Sequence, residues 1–350
     1  MVLAAGQFDN LSTLADLPDE SRVEIVSGGR VEFQGNSLTL ANGGNTGTVG
    51  NIATLVGGTG TDAITLATAI AGGSVSLGSG ADTLTLANGT NTATVASTGT
   101  IIGTGGSDTI TLGSVLTDSM RVDLGSGANK LTLAAGSNTG TVSNVATLIG
   151  GTGTDTITLG TSVANGSISL GASADALTLA NGTNHVSVAS IGTVHGGSGG
   201  DTIVLTGSMS SMVTGGGGLN FITGNTAGDQ FVLDQNSNGN NTTIMNFSSA
   251  KGDKIALDTT GSAILAGNTY NLGGAALTVG VDLADVTNAA ARLATTLSNG
   301  GHGAFVYEQD TGGLYYSGNG SFAAGGTLIG DVTTNGTTAW TFNASSFTQV

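Results

Sequence analysis

The chain of 350 residues contains 62 glycines, one proline and no cysteine; charged residues account for 9% of it and hydrophobic residues for 38%. The lack of cysteine excludes disulfides and thiolate metal sites, and this many hydrophobic residues exclude a disordered chain. The 23 acidic residues outnumber the 7 basic ones and give a net charge of −16, which disfavours nucleic acid as a partner and favours a hard cation.

Residues 1–35 differ from everything that follows them. They lack the glycine-rich pattern of the later sequence and include the stretch DLPDESRVEIV, which holds the only proline. An open end of a repetitive β-structure exposes unpaired strand edges and therefore needs a cover. We predict that residues 1–35 form an N-terminal cap.

A glycine-rich phrase recurs through residues 36–233. VGGTGTDAITL begins at residue 56 and returns as IGTGGSDTITL at 102, IGGTGTDTITL at 149 and HGGSGGDTIVL at 195, with weaker copies such as LGSGADTLTL at 77 in between. Each copy ends in a short strand in which apolar and polar residues alternate. The intervals between these strands predict a parallel β-solenoid, a β-roll or β-helix, built from alternating coils of 20 and 26 residues.

Threonine fills the outward positions of these predicted strands. Stacking the strands places one outward column of threonines beside a second column that Ala63, Lys130 and Ala176 interrupt. Such paired columns resemble the ice-binding faces of β-solenoids, although threonine also suits any solvated strand surface. A further turn, Asn-Gly-Thr-Asn at residues 88 and 181, is expected to project as a ridge from the longer coils. The first column consists of Thr65, Thr85, Thr111, Thr132, Thr158 and Thr178.

Residues 234–350 depart from the repeat and hold most of the aromatic residues. The stretch DLADVTNAAARLATTLSNGG places apolar residues from Leu283 to Leu297 on one helical face, which predicts one substantial helix. GAFVYEQDTGGLYYSGNGS then predicts a β-hairpin around Thr-Gly-Gly. The expected architecture is all-β, with a cap at 1–35, a solenoid at 36–233 and a separate β-rich C-terminal domain at 234–350 that contains one helix.

The repeat carries a resemblance to a known family. GGTGTDAIT at residue 57, GGTGTDTIT at 150 and GGSGGDTIV at 196 match the nonapeptide Gly-Gly-x-Gly-x-Asp-x-apolar-x, so the chain resembles the RTX, or hemolysin-type, calcium-binding repeat proteins. The stretch from FVLDQ at residue 231 to YYSGNGS at 315 resembles the tail of proteins that leave the cell by type I secretion, whose signal is C-terminal and uncleaved. The two resemblances together cover most of residues 57–350.

The resemblance implies that Ca²⁺ lies between stacked turns, held by backbone carbonyls of the glycine turn and by the aspartate at its sixth position. An aspartate at a turn can also simply cap it through its own hydrogen bonds, and that alternative remains open. Some copies depart from the pattern, since Asn129 replaces the aspartate and Leu77 the first glycine. Because one such turn occurs in each coil, we expect calcium along one edge only. The implied ligand residues are Gly57, Gly58, Gly60, Asp62, Asp82, Asp108, Gly150, Gly151, Gly153, Asp155, Asp175, Gly196, Gly197, Gly199, Asp201 and Asp229.

The sequence offers little for catalysis. It has no His-Glu-x-x-His motif, and only His185, His195 and His302 are available as bases or zinc ligands. Residues 196–200 satisfy the Gly-x-Ser-x-Gly pattern of hydrolases, but they lie in a turn of the repeat instead of a strand-to-helix elbow. We therefore predict a protein that is not an enzyme.

The predicted function is that of a secreted, calcium-binding extracellular structural protein, a component of a cell-surface layer (S-layer), matrix or adhesin that folds on calcium after type I secretion. The alternative is an ice-binding or other lattice- or ligand-binding protein that uses the threonine columns. The expected partners are calcium, the type I secretion apparatus, and either further copies of the chain or a cell-surface polysaccharide. No apolar run is long enough to span a membrane, and the N-terminus lacks the features of a secretion signal.

Overall fold

The computed structural model describes residues 2–3, 8–10, 24–25, 29–171, 174–233, 242–257, 282–293, 304–317, 321–333 and 346–349. The chain divides into two compact units, residues 1–173 and 174–350. The fold is mostly β, a parallel solenoid of about eleven turns spaced by about 20 residues, with an antiparallel C-terminal region and one short helix. The predicted fold class is therefore confirmed.

Strands of the first unit pair in parallel with the strand two further along the chain, so each turn contains two strands. One ladder, called ladder 1, runs through β6, β8, β10, β12, β14 and β16, and ladder 2 runs through β5, β7, β9, β11, β13, β15 and β17, where the strands are β1 (Val2–Leu3), β2 (Phe8–Asn10), β3 (Glu24–Ile25), β4 (Gly29–Thr39), β5 (Thr46–Thr59), β6 (Ala63–Leu66), β7 (Ala71–Ser79), β8 (Thr83–Thr85), β9 (Thr92–Ala96), β10 (Thr100–Ile102), β11 (Thr109–Leu112), β12 (Arg121–Asp123), β13 (Lys130–Thr132), β14 (Thr139–Ser143), β15 (Thr147–Ile149), β16 (Thr156–Leu159) and β17 (Ala164–Ser169).

The second unit repeats this pairing. Its ladder 3 runs through β18, β20, β22, β24, β26 and β31, and its ladder 4 through β19, β21, β23, β25 and β30. Both ladders continue beyond residue 233, and the proposed domain limits at 35 and 233 stay predictions. The elements are β18 (Ala176–Thr178), β19 (His185–Ala189), β20 (Thr193–His195), β21 (Thr202–Thr206), β22 (Met212–Thr214), β23 (Asn220–Thr223), β24 (Gln230–Leu233), β25 (Thr242–Met245), β26 (Lys254–Leu257), β27 (Asp282–Val286), α1 (Ala289–Leu293), β28 (Ala304–Glu308), β29 (Gly313–Ser317), β30 (Thr327–Val332) and β31 (Phe347–Gln349).

Aliphatic side chains of successive turns form the core of each unit. In ladder 1, Ile64, Leu84, Ile101 and Val122 pair in register, and each is at most 1% exposed. Successive side chains of a strand point to opposite faces, so the alternating sequence turns the aliphatic residues inward and the threonines between them outward. The inward column is what the period of two in the sequence predicts.

The lengths of the coils correct the prediction. Leu84 pairs with Ile101 and not with Ile110, which belongs to ladder 2 and pairs with Leu131. The predicted coil of 20 residues is one turn, but the interval of 26 residues covers one and a half turns because β9 and β10 both lie within it. The repeat of 46 or 47 residues therefore advances two and a half turns, and successive copies in the first unit alternate between ladders.

This alternation also corrects the predicted threonine column. Thr65 and Thr85 pair in ladder 1, whereas Thr111 and Thr132 pair in ladder 2. The threonines of successive repeats thus face two different surfaces of the unit. A single outward column through these residues does not exist.

The C-terminal helix is shorter than predicted. Asp282–Val286 forms strand β27, which pairs in parallel with β28, and the helix covers only Ala289–Leu293; Leu297 lies outside the described residues. The sequence DLADV fits a period of two as well as a helical period, and pairing with β28 decides between them. The predicted hairpin is confirmed, since β28 and β29 pair antiparallel. In the part of the chain that the structure describes, no helix has the length and apolarity to cross a membrane.

Candidate metal site at the stacked corners

The predicted calcium aspartates all lie in corners of the solenoid, directly before a strand. In the first unit, Asp62, Asp82 and Asp155 precede strands of ladder 1, and Asp108 precedes a strand of ladder 2. Corners at both edges therefore carry aspartate, and the expectation of a single edge is wrong, again because the repeat advances by half-integral turns. Each side chain is at most 1% exposed, for Asp62, Asp82, Asp108, Asp155, Asp175, Asp201 and Asp229.

The glycines of the motif lie where one corner packs on the backbone of the next. A Cβ atom added to Gly57 would lie 2.0 Å from the carbonyl oxygen of Leu77, one turn further on. Gly60 in addition has a φ of 115°, which favours glycine. Close backbone packing alone therefore requires the glycine pattern. An added Cβ would lie within 2.9 Å of another backbone atom at Gly57, Gly58, Gly60, Gly150, Gly151, Gly153, Gly196, Gly197 and Gly199.

Buried asparagines share these corners with the aspartates, and the sequence reasoning missed them. The turns Asn-Gly-Thr-Asn at residues 88 and 181, predicted to project as a ridge, bring Asn91 and Asn184 to the position that aspartate holds elsewhere, and both are fully buried. The ridge prediction is wrong because these side chains turn inward. The signal was their position directly before a strand. The buried corner asparagines are Asn45, Asn91, Asn129, Asn138, Asn184 and Asn220.

The stack of Asn91, Asp108 and Asn129 shows the geometry of a corner. The Nδ2 of Asn91 donates to the carbonyl oxygens of Ala87 at 2.8 Å and Gly89 at 3.0 Å, and to Oδ1 of Asp108 at 2.9 Å. That Oδ1 also accepts the backbone N–H of Asn91 at 2.8 Å. The backbone N–H of Asp108 donates to Oδ1 of Asn129, one turn later, at 2.9 Å. Each side chain thus links its own corner to a neighbouring one.

The aspartates leave one oxygen unsatisfied. Oδ1 of Asp62 accepts from the backbone N–H and the Nδ2 of Asn45, both at 2.8 Å, and Oδ1 of Asp82 accepts the backbone N–H of Asp62 at 2.8 Å. The Oδ2 atoms of Asp62, Asp82, Asp108 and Asp201 are buried without a hydrogen-bond partner. A buried carboxylate oxygen without a donor is costly. These positions therefore call for a proton or a cation.

The donor set at Asp62 and Asp82 fits calcium best. Two buried carboxylates lie one turn apart, each with an unpaired oxygen, in glycine corners whose backbone supplies carbonyls, and calcium prefers such oxygen ligands. Asp108 instead lies between two asparagines, and so does Asp201. The oxygens of Asp229 accept the backbone N–H groups of Ser211 and Asn225. Among the described residues, no group of three or more His, Cys, Asp or Glu side chains could hold a metal.

Burial controls the acidity of several of these groups. It raises the pKa of Asp82, which the nearby charge of Asp62 raises further, against the hydrogen bond from the Asp62 backbone. It also raises the pKa of Asp201, against hydrogen bonds from Asn184. Burial, aided by Asp253, raises the pKa of Asp229 to about 6 despite the two backbone donors and Lys251. Without a cation, these carboxyls therefore favour the protonated form more than ordinary aspartates do.

We expect stability without calcium to fall as the pH rises through the window from 3.8 to about 6. The folded chain holds the Asp229 proton that the unfolded chain has released, so the loss from this group amounts to about 3 kcal/mol once the pH exceeds 6. Thermal melting in EDTA at about pH 4.5 and about pH 7.5 measures it, and Asp229→Asn should reduce the difference. A melting temperature that rises between these two pH values would contradict the expectation.

The remaining candidate residues do not join this site. His185 and His195 are exposed on β19 and β20. Ser198, the centre of the Gly-x-Ser-x-Gly pattern, lies in the corner between β20 and β21, both of which are strands. No strand-to-helix elbow is present at this position.

In comparisons with known proteins, no family model, curated protein or solved structure matches the chain. The resemblance to the RTX repeat therefore rests on the nonapeptide residues and on the corners that they form.

Proposed function

We propose that the protein is a secreted, calcium-binding structural protein of the cell exterior, part of a surface layer, matrix or adhesin, and a member of the RTX class that leaves the cell by type I secretion. The observation that carries the proposal is the Asp62–Asp82 pair, two fully buried carboxylates with unpaired oxygens in adjacent glycine corners. No ordinary hydrogen-bond donor of the corner serves these oxygens. A divalent cation supplies the charge that they lack.

Calcium, when bound, neutralises charge that otherwise opposes closure of the corners. The chain has a net charge of −16, and Asp62 and Asp82 would carry like charges one turn apart in a buried site. In calcium-poor cytoplasm this repulsion keeps the corners open for export, and extracellular calcium closes them. The carboxylates of Asp62 and Asp82 hold the ion, with carbonyl oxygens of their own corners.

The structural role follows from the uniformity of the described surface. Each unit repeats the same strand pair and corner with small variations, which is typical of a scaffold that presents an extended surface. The hairpin of β28 and β29 lies in the segment that resembles a type I secretion tail. The proposed partners are calcium, the secretion apparatus, and further copies of the chain or a surface polysaccharide. Binding of ice or another lattice has less support, because the threonines divide between two ladders and Lys130 follows Thr109 in ladder 2.

Calcium titration tests this proposal. We expect the melting temperature to be lowest in EDTA and to rise as calcium approaches about 10 mM, with about 2.7 kcal/mol of stabilisation at a hundredfold excess over Kd for each site. The double variant Asp62→Asn, Asp82→Asn should lose the calcium increment of this site, because each amide supplies its own donors. Asp118→Asn removes the same charge from an exposed loop and is the matched control. A wild-type chain whose melting temperature is the same in EDTA and in calcium would refute the proposal.

A further inference from the structure

The buried corner asparagines bind the kinds of oxygen that a cation would bind. We propose that their side-chain amides take the place of a cation, so that the asparagine corners close without any ion while the aspartate corners need one. The statement on asparagine stands on the geometry alone, and only the identity of the ion at the aspartate corners rests on the proposed function. The chain then combines permanently closed corners with ion-dependent ones.

The contacts of Asn129 carry the first step. Its Nδ2 donates to three carbonyl oxygens, those of Leu124 at 3.1 Å, Gly125 at 3.0 Å and Asn144 at 2.9 Å. The first two belong to its own corner and the third to the next turn. A calcium ion would gather carbonyl oxygens of stacked corners in the same way. The amide does so without a net charge, and its desolvation therefore costs less than that of an ion pair.

The same contacts recur at other corners. Asn138 donates from Nδ2 to the carbonyl oxygens of Ala134 and Gly136, both at 2.9 Å, as Asn91 does to its own corner. Asn220 donates likewise to Gly216 at 3.1 Å and, at the longer distance of 3.4 Å, to Gly218. This recurrence shows that the amide is a standard part of the corner.

An aspartate at the equivalent position cannot make these bonds. Oδ2 of Asp108 replaces a donor with an acceptor, and it has no hydrogen-bond partner. Asp108 nevertheless keeps the inter-turn contacts, because its Oδ1 accepts from Asn91 and its N–H donates to Asn129. Asparagine and aspartate therefore differ only in what the second side-chain atom offers the corner. An amide at this atom satisfies the corner permanently, whereas a carboxylate requires a positive charge.

The positions of the amides limit where calcium can act. Asn91 and Asn129 flank Asp108 in the first unit, and Asn184 and Asn220 flank Asp201 in the second. At these stacks, two corners of three need no ion. At Asp62 and Asp82, adjacent corners both carry a carboxylate. We therefore expect fewer calcium ions than there are repeat motifs.

Asn129→Asp tests the inference. In EDTA we expect its melting temperature to fall by at least about 5 °C, because three carbonyls lose their donor and a charge is buried. Calcium should restore most of the loss, and equilibrium dialysis should find one more bound calcium per chain than in the wild type. Asn88→Asp introduces the same charge at an exposed position of a neighbouring corner and should melt like the wild type in EDTA.

The reverse substitution protects the test against a variant that fails to fold. Asp108→Asn should raise the melting temperature in EDTA, because the new Nδ2 can donate where Oδ2 has no donor. The inference is overturned if Asp108→Asn melts lower than the wild type in EDTA, or if Asn129→Asp melts like the wild type or loses stability that calcium does not restore. If Asn129→Asp gains calcium dependence while the wild type shows none, the inference stands and the proposed function fails.

Discussion

Gly57→Ala should destabilise the first unit by about 3 kcal/mol or more, because the new Cβ would lie 2.0 Å from the carbonyl oxygen of Leu77. The contact is with backbone on the paired strand β7, so no side-chain rotation can relieve it. We expect the melting temperature to fall by at least about 6 °C, in EDTA and in calcium alike. Thermal melting followed by circular dichroism measures the change.

Gly72→Ala is the matched control for this substitution. Gly72 has a φ of 76°, but nothing lies within 4 Å of an added Cβ. Its replacement should therefore cost only the left-handed backbone conformation, about 1 to 2 kcal/mol. If Gly57→Ala is tolerated as well as Gly72→Ala, the corners do not stack as closely as described. A loss at Gly57 that calcium abolishes would instead indicate that the glycine acts through the metal.

The inward column of the solenoid could be predicted because it depends on a local rule. Strands with a period of two place Ile64 and Leu84 on one face whatever pairs with them. The number of residues per turn is not local, since it depends on how many strands the chain forms between two equivalent points. Residues 85–109 contain β9 and β10, whose sequences TATVA and TII do not resemble the repeat. The sequence pattern counted only the strands that looked alike, and so it assigned one and a half turns to a single coil.

The candidate site was predicted in part for a similar reason. The motif identified Asp62 and Asp82 through their glycine turns, and both lie in stacked corners. Asn91 occupies the same position, but its turn reads ANGTN and lacks the paired glycines, so the motif passed over it. What the two residue types share is a position directly before a strand, which becomes meaningful only when the strand pairing is known. The helix at 282–297 was overestimated because pairing with β28 lies outside any local pattern.

Arg292→Met should destabilise the C-terminal hairpin by about 3 to 5 kcal/mol, because it leaves a buried carboxylate without its partner. Arg292 on α1 donates from Nε to Oε1 of Glu308 at 3.0 Å and from its guanidinium to the carbonyl oxygen of Gly325. Its guanidinium also lies 3.8 Å from the centre of the Tyr315 ring. Glu308 is 1% exposed, and the hydroxyl of Thr311 remains as its other hydrogen-bond donor. Hydrogen exchange of β28 and β29 amides should therefore accelerate strongly.

Two further variants separate the ion pair from general effects of losing an arginine. Arg121→Met removes the ion pair with Asp123, in which the Arg121 side chain is 66% exposed, and should cost less than about 1 kcal/mol. Arg292→Met combined with Glu308→Gln removes the uncompensated charge and should recover part of the lost protection. Equal exchange in Arg292→Met and wild type would mean that α1 contributes nothing to the hairpin. Accelerated exchange confined to residues 304–317 would instead identify the pair as the contact that fastens α1 to the strands.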